Sequence, residues 1–192
     1  MNLRNVLILS MCGTTSLLVG CGGPSDGVSQ EAGRPQPETQ VQEAPAPTPD
    51  EQVAGLDAMC AEAQPAMLAR QAENALFNRV GGREGIHEMV ADTVRRHQIN
   101  ETIKHTLDGV DPDLLTERVT DFLVLATGGQ GEYHGRDMVA AHSHLNLSNA
   151  DFLAAGSDLG AAMDAAGWGE NEKQELLCAF VSLRAQVVTS ES

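Results

Sequence analysis

The spacing of apolar residues constrains this chain most strongly. From Leu56 onward, apolar side chains recur at steps of three and four residues, which places them on one face of an α-helix. One such set is Ile86, Met89, Val90 and Val94. No stretch of useful length alternates apolar and polar residues, as a half-buried strand would. The sequence therefore predicts an all-α fold.

Capping residues mark where two of these helices begin. Asp111 followed by Pro112 predicts a helix N-terminus, because aspartate caps well and proline suits the first helical position. Ser148 with Asp151 is similar to a capping box and opens a later helix. The helix after Asp111 is expected to bury one broad face, made of Leu114, Leu115, Val119, Phe122 and Leu123.

The first twenty residues have the layout of a secretory signal. Arg4 precedes a short apolar run, and small residues follow it. A buried first helix is the alternative, but the hydroxyl residues and glycines of 1–20 make a poor helix. The segment 18–21 resembles a bacterial lipoprotein box, which implies cleavage before Cys21 and a lipid anchor on that cysteine. We therefore expect an extracytoplasmic, lipid-anchored protein of the cell envelope, at the outer membrane or the periplasmic face where a cell has two membranes.

Residues 21–52 are predicted to be a disordered tether. Six prolines lie here among Glu, Gln, Gly, Ser and Ala, so little apolar surface is available for burial. A proline-rich peptide ligand is the functional alternative. Residues 53–75 follow as a weakly apolar helical extension, which is expected to be interrupted or kinked near Pro65.

The chain has four cysteines, and two of them are accounted for by the signal and the lipid. Cys12 leaves with the signal and Cys21 takes the lipid, so Cys60 and Cys178 remain as a pair in an oxidising compartment. They form either one disulfide, which joins 53–75 to the last helix, or two buried free thiols.

The charge balance excludes one class of partner. The formal net charge is −15, from 27 acidic and 12 basic residues. A protein that binds the phosphate backbone needs a basic face. Aromatic residues make up only 3% of the chain, too few for a base-stacking platform. No nucleic-acid partner is expected.

Histidines are the main candidates for chemistry. His142 lies on an apolar stripe, where its imidazole needs a polar partner, and spacing alone favours a hydrogen-bonded core histidine. A zinc or copper site that combines His134, His142 and His144 is disfavoured, because helical residues two apart face different directions. Four histidines are expected to be solvated: His87, His97, His105 and His134.

Several sequence blocks together resemble one family. They are LFNRVGGREGI at 76–86, TGG at 127–129, YHGRDM at 133–138, AH at 141–142 and LSNADF at 147–152. In their order and spacing, residues 76–188 are similar to the group I truncated globins. That resemblance implies a two-over-two helical sandwich that binds haem b (iron protoporphyrin IX) between its helices.

The resemblance also implies the residues of the site. Family members hold the haem iron through one proximal histidine, and the matching Ala-His step here contains His142. Tyr133 and Met138 correspond to positions that line the haem. Phe122 and Phe152 correspond to apolar wall positions.

The distal side departs from the family pattern. Where family members usually have a tyrosine and a glutamine, this chain has Val94 and Val119. The corner that usually carries a phenylalanine pair reads Thr106-Leu107, and Leu115 completes an apolar wall. Bound dioxygen carries partial negative charge and gains from a nearby donor, so this pocket is expected to stabilise it poorly.

The resemblance implies a haem protein that binds a diatomic gas (O2, NO or CO) or passes electrons to an unidentified redox partner. Thr93 lies beside the expected donor position, and His97 or His105 is a candidate second axial ligand. One alternative is a haem enzyme with nitric oxide dioxygenase activity. The other is a globin-fold module without haem that serves as an envelope interaction domain.

Overall fold

The computed structural model describes residues 45–190, and all regular elements in this range are helices. The α-helices are α1 (Pro49–Glu73), α2 (Leu76–Arg79), α3 (Gly82–Ile99), α4 (Pro112–Ala126), α5 (Met138–His142), α6 (Asn149–Ala165), α7 (Glu170–Ser182) and α8 (Arg184–Val187). A short 3₁₀ helix spans Lys104–Leu107. The all-α prediction is confirmed. The predicted signal, Cys21 and most of the predicted tether lie outside the described residues.

Helix α1 begins inside the segment that was predicted to be tether. The Thr48 hydroxyl accepts a hydrogen bond from the backbone N–H of Glu51, and the Glu51 carboxylate accepts one from the backbone N–H of Thr48. Pro49 occupies the first helical position. Residues 49–52 are therefore helix, so α1 includes the last four residues of the predicted tether. The helix also continues through Pro65 without interruption.

The glycines before α3 allow a tight turn. Gly81 has a left-handed φ of 87° and directly precedes the helix. Gly85, in the first turn of α3, packs directly on the preceding chain. A Cβ at this position would lie 2.0 Å from the carbonyl oxygen of Val80. The turn therefore requires glycine at position 85.

The long helices form two packed pairs around one core. Helix α3 packs on α4 and α6 packs on α7, while α3 and α6 join the two pairs. The four apolar residues predicted to form the buried face of α3 are all buried. Helix α1 lies against α6 and α7. This is the expected two-over-two sandwich, with α1 added to it. In the described part of the chain, no helix is long and apolar enough to cross a membrane.

The buried face of α4 differs from the predicted one. Helix α4 turns Thr116, Thr120 and Val124 into the interior, and Leu114 is 55% exposed. The neighbouring apolar stripe of α4 packs at the margin of the core and is only half-buried. That half-buried stripe consists of Leu115, Val119 and Phe122.

Candidate functional site

Helix α5 carries His142 at its C-terminal end. Asp137 caps the helix, because its side chain accepts a hydrogen bond of 2.8 Å from the backbone N–H of Ala140. The half-buried His142 ring donates from Nδ1 to the carbonyl oxygen of Met138 at 2.8 Å. This bond puts the proton on Nδ1 and leaves a lone pair on Nε2. Among the described residues, Nε2 has no hydrogen-bond partner. It is thus prepared to bind a metal.

Phe122, a predicted wall residue, and Tyr133, a predicted haem-lining residue, meet near the end of α4. The rings of Phe122 and Tyr133 pack edge to face, with centroids 5.7 Å apart. The Tyr133 hydroxyl donates to the carbonyl oxygen of Arg136 at 2.7 Å. Gly135 makes room for this ring, because a Cβ there would lie 2.2 Å from the Tyr133 hydroxyl oxygen. The loop before α5 is therefore shaped around the tyrosine.

Phe152 is buried between the last two long helices. Its ring stacks on Phe180 of α7, with centroids 4.2 Å apart and planes 15° apart. At 3% exposure, the side chain contributes to the packing of α6 on α7. Whether it also lines a cofactor stays a prediction.

The remaining predicted pocket residues are apolar and differ in burial. Val94 is 5% exposed and belongs to the core, whereas Leu107, Leu115 and Val119 are half-buried. Thr93 supplies no spare donor, because its hydroxyl donates to the carbonyl oxygen of Met89 at 3.0 Å. A threonine back-bonded to its own helix has used its only proton.

His97 is not the solvated residue that the sequence predicted. Its Nδ1 lies 2.9 Å from Oδ2 of Asp158, and the same oxygen accepts a hydrogen bond from the side chain of Asn100 at 2.9 Å. Burial lowers the pKa of His97, and the hydrogen bond with Asp158 opposes that shift. This pair ties α3 to α6, so His97 is not a free second axial ligand.

The other histidines lie at the surface. His87 contacts Glu117 at 3.1 Å and His134 contacts Glu132 at 3.2 Å, while His105 and His144 are exposed. Within residues 45–190, no three His, Cys, Asp or Glu side chains gather in an arrangement that could hold a metal ion.

Two arginines that the sequence reasoning missed stand apart from the others. Arg118 shares one face of α4 with Leu115, Val119 and Phe122, and it has no ion-pair partner among the described residues. Arg136 contacts the carbonyl oxygen of Ala140 at 3.4 Å and has no carboxylate partner there either. Every other arginine and lysine in the described range pairs with a carboxylate. Arg118 lies three residues after Leu115 and four residues before Phe122 in the sequence. Helical periodicity alone could therefore have placed it on the apolar stripe.

A covalent link joins α1 to α7. Of the two alternatives for the cysteines, the structure contains the disulfide between Cys60 and Cys178, with Cα atoms 5.4 Å apart. One turn away, the buried Glu175 carboxylate pairs with Arg70 of α1 at 2.6 Å and with Arg79 of α2. The extension at 53–75 is thus attached to the last long helix.

Comparison with known proteins places this architecture in a family. Residues 75–189 match the model of the family described as bacterial-like globin. A group 1 truncated hemoglobin of Tetrahymena pyriformis is 30% identical over 92 residues, which cover 48% of this chain and 76% of that protein. Group 1 truncated hemoglobin GlbN of Mycolicibacterium paratuberculosis is 27% identical over 124 residues, or 64% of this chain and 91% of that one.

Solved structures show the same fold. The crystal structure of the Tetrahymena pyriformis truncated hemoglobin in its Fe(III) form superposes with a TM-score of 0.57 at 24% identity, covering 61% of this chain and all 100% of that one. The 2/2 hemoglobin of Synechococcus sp. PCC 7002 superposes with a TM-score of 0.54 at 21% identity, covering 58% and 94%. The family match spans most of the described residues, and α1 precedes it. The chain therefore belongs to the bacterial-like globin family, as a truncated globin of group 1.

Proposed function

We propose that this protein binds haem b and, through it, a diatomic gas. The observation that carries the proposal is the imidazole of His142, which donates from Nδ1 to Met138 and leaves Nε2 free for iron. The relatives support it, because the Tetrahymena and Mycolicibacterium proteins are truncated hemoglobins and the Synechococcus structure has a covalently attached heme.

The packing of α4 and α5 fits a flat apolar cofactor. Helix α4 packs mainly on α3, and α5 packs mainly on α8. The apolar stripe of Leu115, Val119 and Phe122 is therefore left half-buried by protein. A porphyrin ring would cover this stripe and contact Met138, which is also half-buried. These residues would hold the ring, and His142 would bind the iron.

The two unpaired arginines fit the acidic edge of haem. Haem carries two carboxylate side chains, which need cationic or hydrogen-bonding partners. In a chain with 27 acidic residues, a guanidinium without a carboxylate partner is unusual. Arg118 on the apolar face of α4 and Arg136 before α5 are the two such groups between residues 45 and 190. We assign them to the cofactor carboxylates.

The distal residues determine which gas is held well. Haem, when bound, supplies an iron that takes a diatomic ligand. Val94, Leu115 and Val119 offer no hydrogen-bond donor, and the Thr93 hydroxyl is committed to Met89. An apolar wall without hydrogen-bond donors stabilises bound dioxygen only weakly, because that ligand is polar. Bound carbon monoxide depends less on a hydrogen bond. We therefore expect fast release of O2 and comparatively tight binding of CO or NO.

A titration with haem tests the proposal directly. We expect one equivalent of haem b to produce a Soret band and to quench the emission of Trp168, the only tryptophan in the chain. The reduced complex should then bind carbon monoxide. A chain that stays colourless would contradict the proposal and would favour a globin-fold interaction module without haem.

The cell-envelope location is also a proposal. It rests on the signal layout of residues 1–20 and on the lipoprotein-like segment that ends at Cys21. In the cell that makes the protein, wild-type chain should fractionate with membranes and carry the mass of a lipid on Cys21. Cys21→Ser should appear without that mass and outside the membrane fraction. Wild-type protein that lacks the lipid would contradict the proposal.

A further inference from the structure

We propose that α1 is a redox-controlled strap, held on the globin body by the Cys60–Cys178 disulfide and released as a unit when a dithiol reduces it. The inference is independent of haem binding. It rests on how α1 is attached to the rest of the described chain.

Helix α1 has little apolar attachment of its own. Of its 25 residues, Val53 alone is buried. A helix in water depends on tertiary packing of an apolar face, and one buried valine supplies little of it. The disulfide is therefore the strongest single attachment of α1.

Beyond Val53 and the half-buried side chains of Leu56 and Met67, the attachments of α1 are polar and lie mostly towards its two ends. Near the start, the side chain of Asn149 donates to Asp50 at 2.7 Å. Near the end, Gln71 donates to the carbonyl oxygen of Thr127 at 3.1 Å and accepts from the backbone N–H of Leu76 at 2.8 Å. Each is a single hydrogen bond that water can replace once α1 moves away. Two ion pairs add to these, Arg70–Glu175 and Asp57–Arg184, and Arg70 also donates to the side-chain oxygen of Gln174 at 3.4 Å.

A groove runs beneath the middle of α1, at the disulfide. Its volume is about 440 Å³, and both cysteines line it, together with Met67, Leu68 and Val181. The groove leaves space beside the disulfide between α1 and α7. Cys60 is half-buried, whereas Cys178 is 7% exposed. Because Cys60 is the more exposed of the two cysteines and lines the groove, we expect an incoming thiol to attack its sulfur.

The difference in exposure determines which sulfur takes part first in thiol–disulfide exchange. The thiolate of a dithiol attacks Cys60, the bond between the two sulfurs breaks, and Cys178 leaves as a thiolate that takes up a proton. The second thiol of the dithiol then attacks the mixed disulfide on Cys60. The products are two cysteine thiols and an oxidised dithiol, so two electrons have passed to the protein.

The buried carboxylate that contacts α1 also has a partner within the globin body. Glu175, which is buried, pairs with Arg70 of α1 but also with Arg79 of α2. When α1 leaves, the carboxylate therefore keeps one cationic partner. The family match begins at residue 75, after α1 ends at Glu73, so the globin body does not include the strap.

Hydrogen exchange on the full-length chain, oxidised and after treatment with dithiothreitol, tests the proposal. We expect backbone amides of α1 to exchange roughly a hundredfold faster after reduction, while those of α3, α4 and α6 keep their protection. The double variant Cys60→Ser with Cys178→Ser should behave like the reduced chain without any reductant. Met59→Ser, a change at the neighbouring 38% exposed side chain, should exchange like oxidised wild type.

Two outcomes would overturn the proposal. If α1 stays protected after both thiols are free, the polar contacts hold the helix and the disulfide controls nothing. If α1 and the body lose protection together, α1 is an integral part of the fold and not a strap.

Discussion

Single residues are fixed in this protein by close contacts that a Cβ would break. Gly85 is the clearest case, because the carbonyl oxygen of Val80 occupies the space of a side chain. Gly135 has the same role against Tyr133. Both glycines lie in the sequence blocks that carry the family resemblance, so part of that pattern records packing geometry rather than cofactor chemistry.

Gly85→Ala should destabilise the fold by about 1–3 kcal/mol, because the new methyl group has to displace backbone. Gly160, in the interior of α6, is the matched control, since a Cβ there meets nothing within 4 Å. Gly160→Ala should stabilise by about 1 kcal/mol through helix propensity. Urea unfolding measures both changes. Equal effects in the two variants would contradict the close approach at Gly85.

Arg118 and Arg136 lead to a prediction about charge. Changing both to Gln should weaken haem binding by about threefold to tenfold, the range for partly exposed charge pairs. Haem dimethyl ester, which has no free carboxylates, should bind the variant and the wild type equally well. Arg95→Gln, at an exposed arginine paired with Asp92, is the control and should bind haem normally. If the variant still prefers haem over its dimethyl ester by the same factor as the wild type does, the assignment is wrong.

At the scale of elements, local sequence signals predicted the first residues of the helices well. They predicted the packing partners of the helices less well. The caps at Asp111 and Ser148 are as the sequence predicted. The start of α1 was missed because the proline-rich composition concealed the capping box of Thr48 and Glu51. These are short-range features, and sequence alone can reveal them.

The packing partners of the elements depend on residues far apart in the chain. Apolar spacing on α4 identified Leu115 and Val119, but it could not show that Thr116 and Thr120 are buried more deeply than they are. Likewise, nothing near His97 in sequence indicates Asp158, 61 residues later. The family resemblance supplied the site residues that periodicity could not.

The link between α3 and α6 should make stability depend on pH. Burial lowers the pKa of His97 below its ordinary value near 6.5, so the unfolded chain binds more protons than the folded one in mildly acidic solution. The contribution of this residue is favourable at pH 7.5 and should fall as the pH drops through 6.5. We expect His97→Gln to lose less stability than the wild type between pH 7.5 and pH 5.5. Urea unfolding at the two pH values measures this loss.

His105→Gln is the control for this pH dependence, because His105 is exposed. The difference in the free energy of unfolding between pH 7.5 and pH 5.5 should be the same in this variant as in the wild type. If the His97 variant loses as much stability on acidification as the wild type, burial of this imidazole is not the cause.

At the scale of the whole molecule, the described chain is a globin body with one added helix. The body carries the proposed haem ligand His142, a half-buried apolar stripe on α4 and two arginines without carboxylate partners among the described residues. The added helix brings a disulfide and no residue of the proposed haem site. Haem binding and redox control of α1 are therefore separable properties.

Haem titration of His142→Ala beside His144→Ala tests the central claim most directly. Both variants remove one imidazole, two residues apart, but only His142 has its Nδ1 held by a backbone carbonyl. We predict that His144→Ala takes up one equivalent of haem with the wild-type Soret band. His142→Ala should lose that band, and added imidazole should restore it in part. Wild-type haem binding by the His142 variant would contradict the claim.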